Sequence, residues 1–544
     1  MGKQQSTTDK SVAELLATAF AAHRVERLFG VPGGGSSLDV IDAAAAAGIG
    51  FVLTRTESAA AMMAAVTAEL TNTLGVAITT KGPGTATAAN GVAYASLDRA
   101  PLMLLSDGFN PDEQRYVTHQ VFDQRSMLAP LTKGYSRLED AAAGEDIARL
   151  IDLALTPPSG PVYVELTAAA AQTTPAGAAR FQRAEPVATV DEAALARAAQ
   201  LLRHSVRPVL VVGLEARDAN AAAAARSLAA ALACPALTTY KAKGVISDAA
   251  AQYVGIFTGG AAESDCLERA DLILLCGVDP VEFIRKPWHY QAPAIDIAHA
   301  RHQIHYLKPA VGLYGSLVGH MTRLAEDAAG TAWSDAEILE LRRGMAARLQ
   351  YPSSAGLGPQ QVVELAAAAA ESLPILPRIT VDAGAHMFSA MAFWPCAAPF
   401  DVLISNGLAT MAFALPAAIA AALQQPDRPV IAFTGDGGLL MCLGELSTAA
   451  EQGARIIVIV FNDRSLSLID IKQQQRGFAT RGVRWGKPDF AQVMEGLGGR
   501  GYRVDSVRDY ETALAEALQG DGPALIDVDI DPSGYPAQLK ALRG

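Results

Sequence analysis

The amino-acid sequence predicts an α/β protein made of three doubly wound parallel-sheet domains. Two observations carry this. Short runs rich in Val, Ile and Leu, ending at Gly, Asp or Pro, alternate with alanine-rich stretches of helical length, the pattern of β-α-β units. The alternation recurs in three blocks, and 544 residues accommodate about three domains of ordinary size.

The first block, 11–167, carries strand-like runs at 76–80 and 102–106, a small-residue helix at 58–71, and a closing strand at 162–166 entered through Gly160-Pro161. Residues 168–190, mixing Ala, Thr, Pro and Gly, read as a linker. The second block, 191–324, has strands expected at 208–212 and 271–276, and the charged stretch 325–357 reads as a connecting helical segment. The third, 358–544, has strands expected at 379–382, 430–433, 456–461 and 524–530, with a helix beginning at Leu439. Blocks one and three both read as one sheet with glycine loops at its edge, so they are expected to share a fold.

Half of the residues are apolar, enough for large cores, and the net charge of −12 is spread without long blocks of one sign. That argues against a nucleic-acid surface. Five cysteines, Cys234, Cys266, Cys276, Cys396 and Cys442, lie scattered with no CxxC pair, as expected of buried free thiols in a reducing cytoplasm. The first ten residues are polar and lack the apolar core of a signal peptide. No apolar span long enough to cross a membrane stands out. A cytoplasmic protein with neither membrane nor nucleic-acid partner is therefore expected.

The densest chemical signal lies in the third block. The strand at 430–433 runs into Thr434-Gly435-Asp436-Gly437-Gly438, and one helix and one strand later comes Phe461-Asn462-Asp463. A parallel β-α-β unit places Asp436 and Asp463 at the same sheet edge. Two hard oxygen ligands beside a glycine-rich helix N-terminus suit Mg²⁺ and a diphosphate. The bland alternative is a crossover turn with an acidic cap. In the first block, Gly30-Val31-Pro32-Gly33-Gly34-Gly35, Glu57, Lys81-Gly82-Pro83-Gly84 and Asp98-Arg99-Ala100-Pro101 follow one another. The first glycine loop lacks the Lys-Ser/Thr of a nucleotide P-loop. Glu57 by itself is explained by the helix dipole.

Taken together, these motifs resemble the thiamine-diphosphate-dependent enzymes. The segment Asn406-Gly407-Leu408-Ala409-Thr410-Met411-Ala412-Phe413-Ala414-Leu415-Pro416 is similar to the Gly-Leu-Gly-x-Met-Gly-Phe-Gly-Leu-Pro segment of the acetolactate synthase (acetohydroxyacid synthase) large-subunit branch. The resemblance implies pyrimidine-binding, central and diphosphate-binding domains in that order. It implies that Glu57 hydrogen-bonds the aminopyrimidine, that Met411 wedges beneath a bent cofactor, and that the Ala409 carbonyl accepts from its amino group. Asp436, Asp463 and the Ser465 carbonyl would ligate Mg²⁺, with Asn462 in reserve because the family pattern has Asn where Asp463 stands. Gly435, Gly437 and Gly438 would approach the diphosphate; Gly34, Gly35 and Ser36 would sit at the pocket mouth. His119-Gln120 stands where that branch has Phe-Gln facing substrate, so Gln120 would bind the acceptor and His119 would move a proton, although a lone His is as often structural.

The implied function is a carboligase or lyase that decarboxylates a small, pyruvate-like 2-oxo acid and joins the product to a second carbonyl. A simple decarboxylase or hydroxyketone lyase, a flavin-dependent oxidoreductase of the pyruvate-oxidase kind, and a non-catalytic paralogue are the alternatives. The implied assembly is a homo-oligomer, a dimer or dimer of dimers, with shared active sites. Lys81, Ala86-Thr87 and Lys472 depart from the branch near the expected substrate. Cys276-Gly277-Val278-Asp279-Pro280-Val281-Glu282 lacks the flavin-contacting motif of some relatives, and Arg285 is displaced from it, so FAD is not expected. The run His299-Ala-Arg-His302-Gln-Ile-His305 fits no single helical face and reads as a solvated loop rather than a metal site.

Overall fold

Strands buried on both faces need continuous apolar runs, and the strongest such runs become the central strands of three parallel sheets. The computed structural model describes residues 10–544 apart from 111, 140, 141, 176–180, 182–189, 284, 285, 329 and 352–355. Arg285 and much of the expected linker lie outside the described residues.

The first sheet contains β1 (Arg27–Val31), β2 (Gly50–Leu53), β3 (Gly75–Thr79), β4 (Leu102–Asp107), β5 (Tyr135–Arg137) and β6 (Val162–Leu166), in the order β2-β1-β3-β4-β6-β5. The second contains β7 (Pro208–Val212), β8 (Ala236–Thr238), β9 (Tyr253–Ile256), β10 (Leu272–Cys276), β11 (Ala294–Ala298) and β12 (Val311–Tyr314), in the order β12-β11-β10-β7-β8-β9. The third contains β13 (Arg378–Val381), β14 (Val402–Ile404), β15 (Val430–Gly435), β16 (Ile456–Asn462), β17 (Arg500–Val504) and β18 (Ala524–Asp529), in the order β14-β13-β15-β16-β18-β17. Every pairing within these sheets is parallel. The first and third sheets have the same order when each is numbered from its own first strand, as the shared glycine-loop pattern predicts. The second has a different winding.

The chain forms two compact units. One comprises 1–186 with 419–425 and 442–452, and the other 187–418, 426–441 and 453–544. The connecting segment contains the end of a helix, Leu317–Glu326, and a whole one, Asp335–Leu349, opened by a reciprocal Ser334–Glu337 capping box. All five cysteines are buried and free. No helix among the described residues is long and apolar enough to cross a membrane.

Two details depart from the sequence reading. The helix expected from Leu439 begins at Asp436, immediately after β15. The run 299–305 is a loop, but it is not simply solvated. The His302 side chain is 10% exposed, and its Nε2 lies 3.7 Å from Glu215 Oε1. Charged neighbours far away in sequence, not helical periodicity, decide where that imidazole goes.

The helix Glu57–Thr71 packs tightly on Pro83–Leu97 because both are made of small residues. A side chain at Gly91 would meet Ala61 Cβ at 2.5 Å and the Ser58 carbonyl oxygen at 2.6 Å. Gly91→Leu is expected to destabilise the protein by about 1–3 kcal/mol through overpacking, read as a lower urea midpoint. An unchanged midpoint would show that the two helices can separate at no cost.

Candidate active site

In an open parallel sheet, loops that diverge from neighbouring strands leave a crevice at the strands' C-terminal edge. In the first sheet β1 and β3 flank that point, and the expected residues gather there. The chain after β1 turns through Gly33–Gly35 into the helix Ser36–Ala46. Asp107, the last residue of β4, holds this turn. Its Oδ1 accepts from Ser37 N at 2.7 Å and Ser36 Oγ at 3.0 Å. A Cβ on Gly35 would lie 2.9 Å from the Asp107 carboxyl carbon, whereas Gly34 faces open space.

Glu57 is the first residue of its helix, capped by Thr56, which accepts from Ala59 N. Burial pushes its carboxyl above the usual carboxylate range, against a hydrogen bond from its own backbone. Its Oε1 lies beside Gly84, at the start of the helix after β3. The approach to Glu57 is fixed by Glu445, a fully buried side chain whose Oε1 accepts from Arg55 N and Thr56 N, each at 2.9 Å. Nothing in the local sequence signals this role, because Glu445 lies in the third block.

His119 and Gln120 are both exposed. Gln120 is left-handed, with φ of 63°, and its backbone packs on Gly82, where a Cβ would meet the Gln120 carbonyl oxygen at 2.6 Å. Gly82 itself has φ of 68°, so glycine serves both the turn and the contact. Beneath it, Gly82 N donates to Gln124 Oε1 at 2.6 Å, and Gln124 Nε2 donates to Glu165 Oε1 at 3.2 Å. Tyr163 and Tyr135 donate to the same carboxylate. This buried network was not legible in the sequence. Lys81, the departure at this loop, places Nζ 4.9 Å from the centre of the Phe109 ring.

In the third sheet β13 and β15 flank the corresponding point. Asp382, just past β13, is buried, and it accepts from Ala412 N at 3.1 Å, Phe413 N at 2.9 Å and Thr434 Oγ1 at 2.9 Å. Burial pushes it up to about 6, against those hydrogen bonds. The loop it holds contains two left-handed alanines, Ala409 with φ of 54° and Ala412 with φ of 65°. The resembled family segment has glycine at both positions, and alanine there costs roughly 1–2 kcal/mol each. A Cβ on Gly438 would meet Asp382 Oδ2 at 2.1 Å, so this glycine is required for the approach.

Asp436 begins the helix after Gly435. Its Oδ1 accepts from Gly437 N at 2.8 Å and its Oδ2 from Arg464 N at 2.7 Å. Asp463 Oδ1 accepts from Ser465 N at 3.2 Å, and its Oδ2 accepts from Ser467 Oγ. Burial, then the negative charge of Asp463, pushes Asp436 up to about 7. Asp463 is also raised by burial. Two carboxylates that suppress each other's ionisation form a site that a cation would relieve. The reserve residue, Asn462, donates from Nδ2 to Asp527 Oδ1 at 2.8 Å, while its own buried Oδ1 has no hydrogen-bond partner among the described residues. Met411 reaches this place too, with Cε 3.5 Å from a Cβ position on Gly437; Trp485 and Leu466 close the same position at 3.0 and 3.1 Å. Ser465 is held by an antiparallel bridge to Arg484. Lys472 is exposed and lines a cavity of about 660 Å³ with Gln475, Lys540 and Arg543.

Comparison with known proteins places three stretches of the chain in one family. Residues 10–127 match the thiamine pyrophosphate enzyme N-terminal TPP binding domain, 195–324 the central domain, and 382–528 the C-terminal TPP binding domain. The chain is 27% identical over 550 residues to an acetolactate synthase of Bacillus subtilis, covering 98% of this chain and 95% of that protein. It is 29% identical to the catabolic acetolactate synthase of Raoultella terrigena, over 98% and 97% of the two chains. It is 27% identical to the isozyme 2 large subunit of Escherichia coli, over 95% of each.

The Asp436 pair dictates a pH dependence for the cation-free protein. Its folded-state pKa lies above the unfolded value, so the cost of ionising it is absent below about pH 4 and complete above about 7. Stability contributed here therefore falls as pH rises through that window. Urea unfolding in chelator at pH 5 and 7.5 is expected to show a smaller pH-driven loss for Asp436→Asn than for the unsubstituted chain. Equal losses would remove the pair as the cause.

Proposed function

Because the chain belongs to the thiamine pyrophosphate enzyme family, we propose that it is an acetolactate-synthase-like carboligase, dependent on thiamine diphosphate and Mg²⁺ and acting on a small 2-oxo acid. The observation that carries this reading is the Asp436–Asp463 carboxylate pair beside the Met411 and Gly437 contact, in a chain resembling acetolactate synthases along nearly its whole length.

Asp436, Asp463 and the Ser465 carbonyl would hold the metal. Asp463 in place of the family's Asn adds negative charge, which strengthens attraction for the cation at neutral pH. Gly435, Gly437 and Gly438 would admit the diphosphate at the helix N-terminus, where NH groups favour an anion. Thiamine diphosphate, when bound, supplies the electron sink for removing carbon dioxide from the 2-oxo acid and passing the remaining unit to a second carbonyl. Glu57, whose carboxyl burial raises above the usual carboxylate range, would hydrogen-bond the pyrimidine ring nitrogen. Met411 would lie beneath the bound cofactor, and the Ala409 carbonyl would accept a hydrogen bond from its amino group. Gln120 and His119 are assigned to the substrate side, with Gly34 and Gly35 at the mouth.

By the same family resemblance the working form would be a homodimer or a dimer of dimers, with Glu57 of one subunit serving the cofactor whose Mg²⁺ is held by Asp436 of another. A cytoplasmic location agrees with five free buried thiols. The domain boundaries proposed are 11–167, 191–324 and 358–544.

NMR of ¹³C-pyruvate incubated with the protein, thiamine diphosphate and Mg²⁺ is expected to show acetolactate. Acetaldehyde would make the protein a decarboxylase, and unchanged pyruvate with cofactor bound would overturn pyruvate as donor. Glu57→Gln is expected to lower turnover roughly a hundredfold or more while cofactor still binds; unaltered turnover would remove the role of that hydrogen bond. Mixing Glu57→Gln with Asp436→Ala subunits should restore activity in heterodimers, and no recovery would count against a shared site.

A further inference from the structure

The second sheet carries a cluster of ionisable groups for which the proposed chemistry has no use. β7 and β10 are neighbours at the point where this sheet's winding reverses, the usual place for a ligand crevice. Glu215 follows β7, Asp279 follows β10, and His302 lies on the loop after β11. One ligand-capable atom from each of these three side chains falls within 4.8 Å of the other two. Bonds of about 2 Å to a single ion would set such atoms roughly 3–4 Å apart, a closure that side-chain rotation supplies.

We propose that Glu215, Asp279 and His302 form a binding site for a divalent transition-metal ion of the Zn²⁺ type. Two carboxylates with one imidazole suit Zn²⁺ better than Mg²⁺, which prefers oxygen alone. His302 Nε2 faces Glu215 Oε1 at 3.7 Å, a separation at which an ion can stand between them. The supporting groups are in place. Glu215 Oε2 accepts from His299 N at 2.8 Å, which leaves Oε1 toward His302. Asp279 Oδ1 accepts from Val281 N at 2.9 Å. Glu282 Oε2 accepts from Leu214 N at 2.9 Å and Asp279 N at 3.3 Å, joining the two loops that bear the carboxylates.

An independent observation points to a missing positive charge. Asp296, on β11, is fully buried; its Oδ2 accepts from Tyr314 Oη at 3.0 Å, but its Oδ1 accepts no hydrogen bond among the described residues. Its charge acts on Glu215, as do those of Asp279 and Glu282. Burial and these mutual repulsions push Glu215 up to about 8 and Glu282 up to about 7. Arg217 offsets part of this at Glu282, with its Nε donating to the Leu214 carbonyl. A buried group of like charges of this kind either binds protons or binds a cation.

The test uses full-length protein, stripped with chelator and reloaded with thiamine diphosphate and excess Mg²⁺ so that Asp436 and Asp463 are occupied. Calorimetric titration with Zn²⁺ is expected to show one site per chain. Asp279→Asn and His302→Gln should each weaken it about tenfold or more, while Asp436→Asn leaves it in place. Co²⁺ substitution should give visible absorption bands that His302→Gln alters. Circular dichroism of the zinc-free variants checks folding, and His302, on a loop, is the substitution least able to perturb it. Absence of saturable Zn²⁺ binding, or equal binding by the unsubstituted chain and His302→Gln, would overturn the proposal. Neither result depends on the carboligase reading, because no turnover is measured.

Discussion

Asp382 is the interaction on which the C-terminal cluster depends. A carboxylate buried at a strand end is costly unless it is hydrogen-bonded, and here two backbone NH groups and the Thr434 hydroxyl meet it. Meeting it turns the loop at Ala412, which is left-handed, as is Ala409 earlier in the same loop. That bend carries Met411 to Gly437, and the absent side chain at Gly438 lets the helix start close against the same carboxylate. Loop shape, helix start and the place of Asp436 are thus consequences of one charge that needs partners. Backbone strain sits where the loop must serve a purpose beyond stability.

The same device recurs at the other sheet edges. Asp107 holds the glycine turn after β1 through Ser36 and Ser37. Glu445 holds the approach to Glu57 through Arg55 and Thr56. Glu282 joins the loops after β7 and β10. Parallel sheets make this recurrence natural. All strands end on one side, so the NH-rich starts of the following helices gather there and stabilise anionic groups. What distinguishes the three edges is how much negative charge remains uncompensated. At Asp107 the hydroxyls and NH groups satisfy it. At Asp436–Asp463 and at Glu215–Asp279–Asp296, mutual repulsion persists, which is the condition that favours a cation.

Motifs carried by neighbours in the chain were legible. Gly435-Asp436-Gly437-Gly438, Asp463, Glu57 and the 406–416 segment announce themselves because strand, turn and helix follow directly, and a β-α-β unit returns the next strand to the same edge. The central strands 162–166 and 208–212 were legible for the same reason: burial on both faces demands unbroken apolar runs. Short edge strands such as β5, β9 and β14 demand no such run, so their sequences do not stand out. Asp107, Gln124, Glu165 and Glu445 were not legible either, since each is an ordinary polar residue until a partner far along the chain arrives.

The sequence by itself determined the class of fold and the motifs contained within single β-α-β units, because both follow from local periodicity and chain order. Only tertiary structure decided which of the motif residues come together. It turned the amide of Asn462, the last residue of β16, toward Asp527 and placed Asp463, just past the strand, where its charge acts on Asp436. It also drew His302 out of a loop that reads as solvated, because the fold sets its imidazole 3.7 Å from Glu215, a residue that follows another strand.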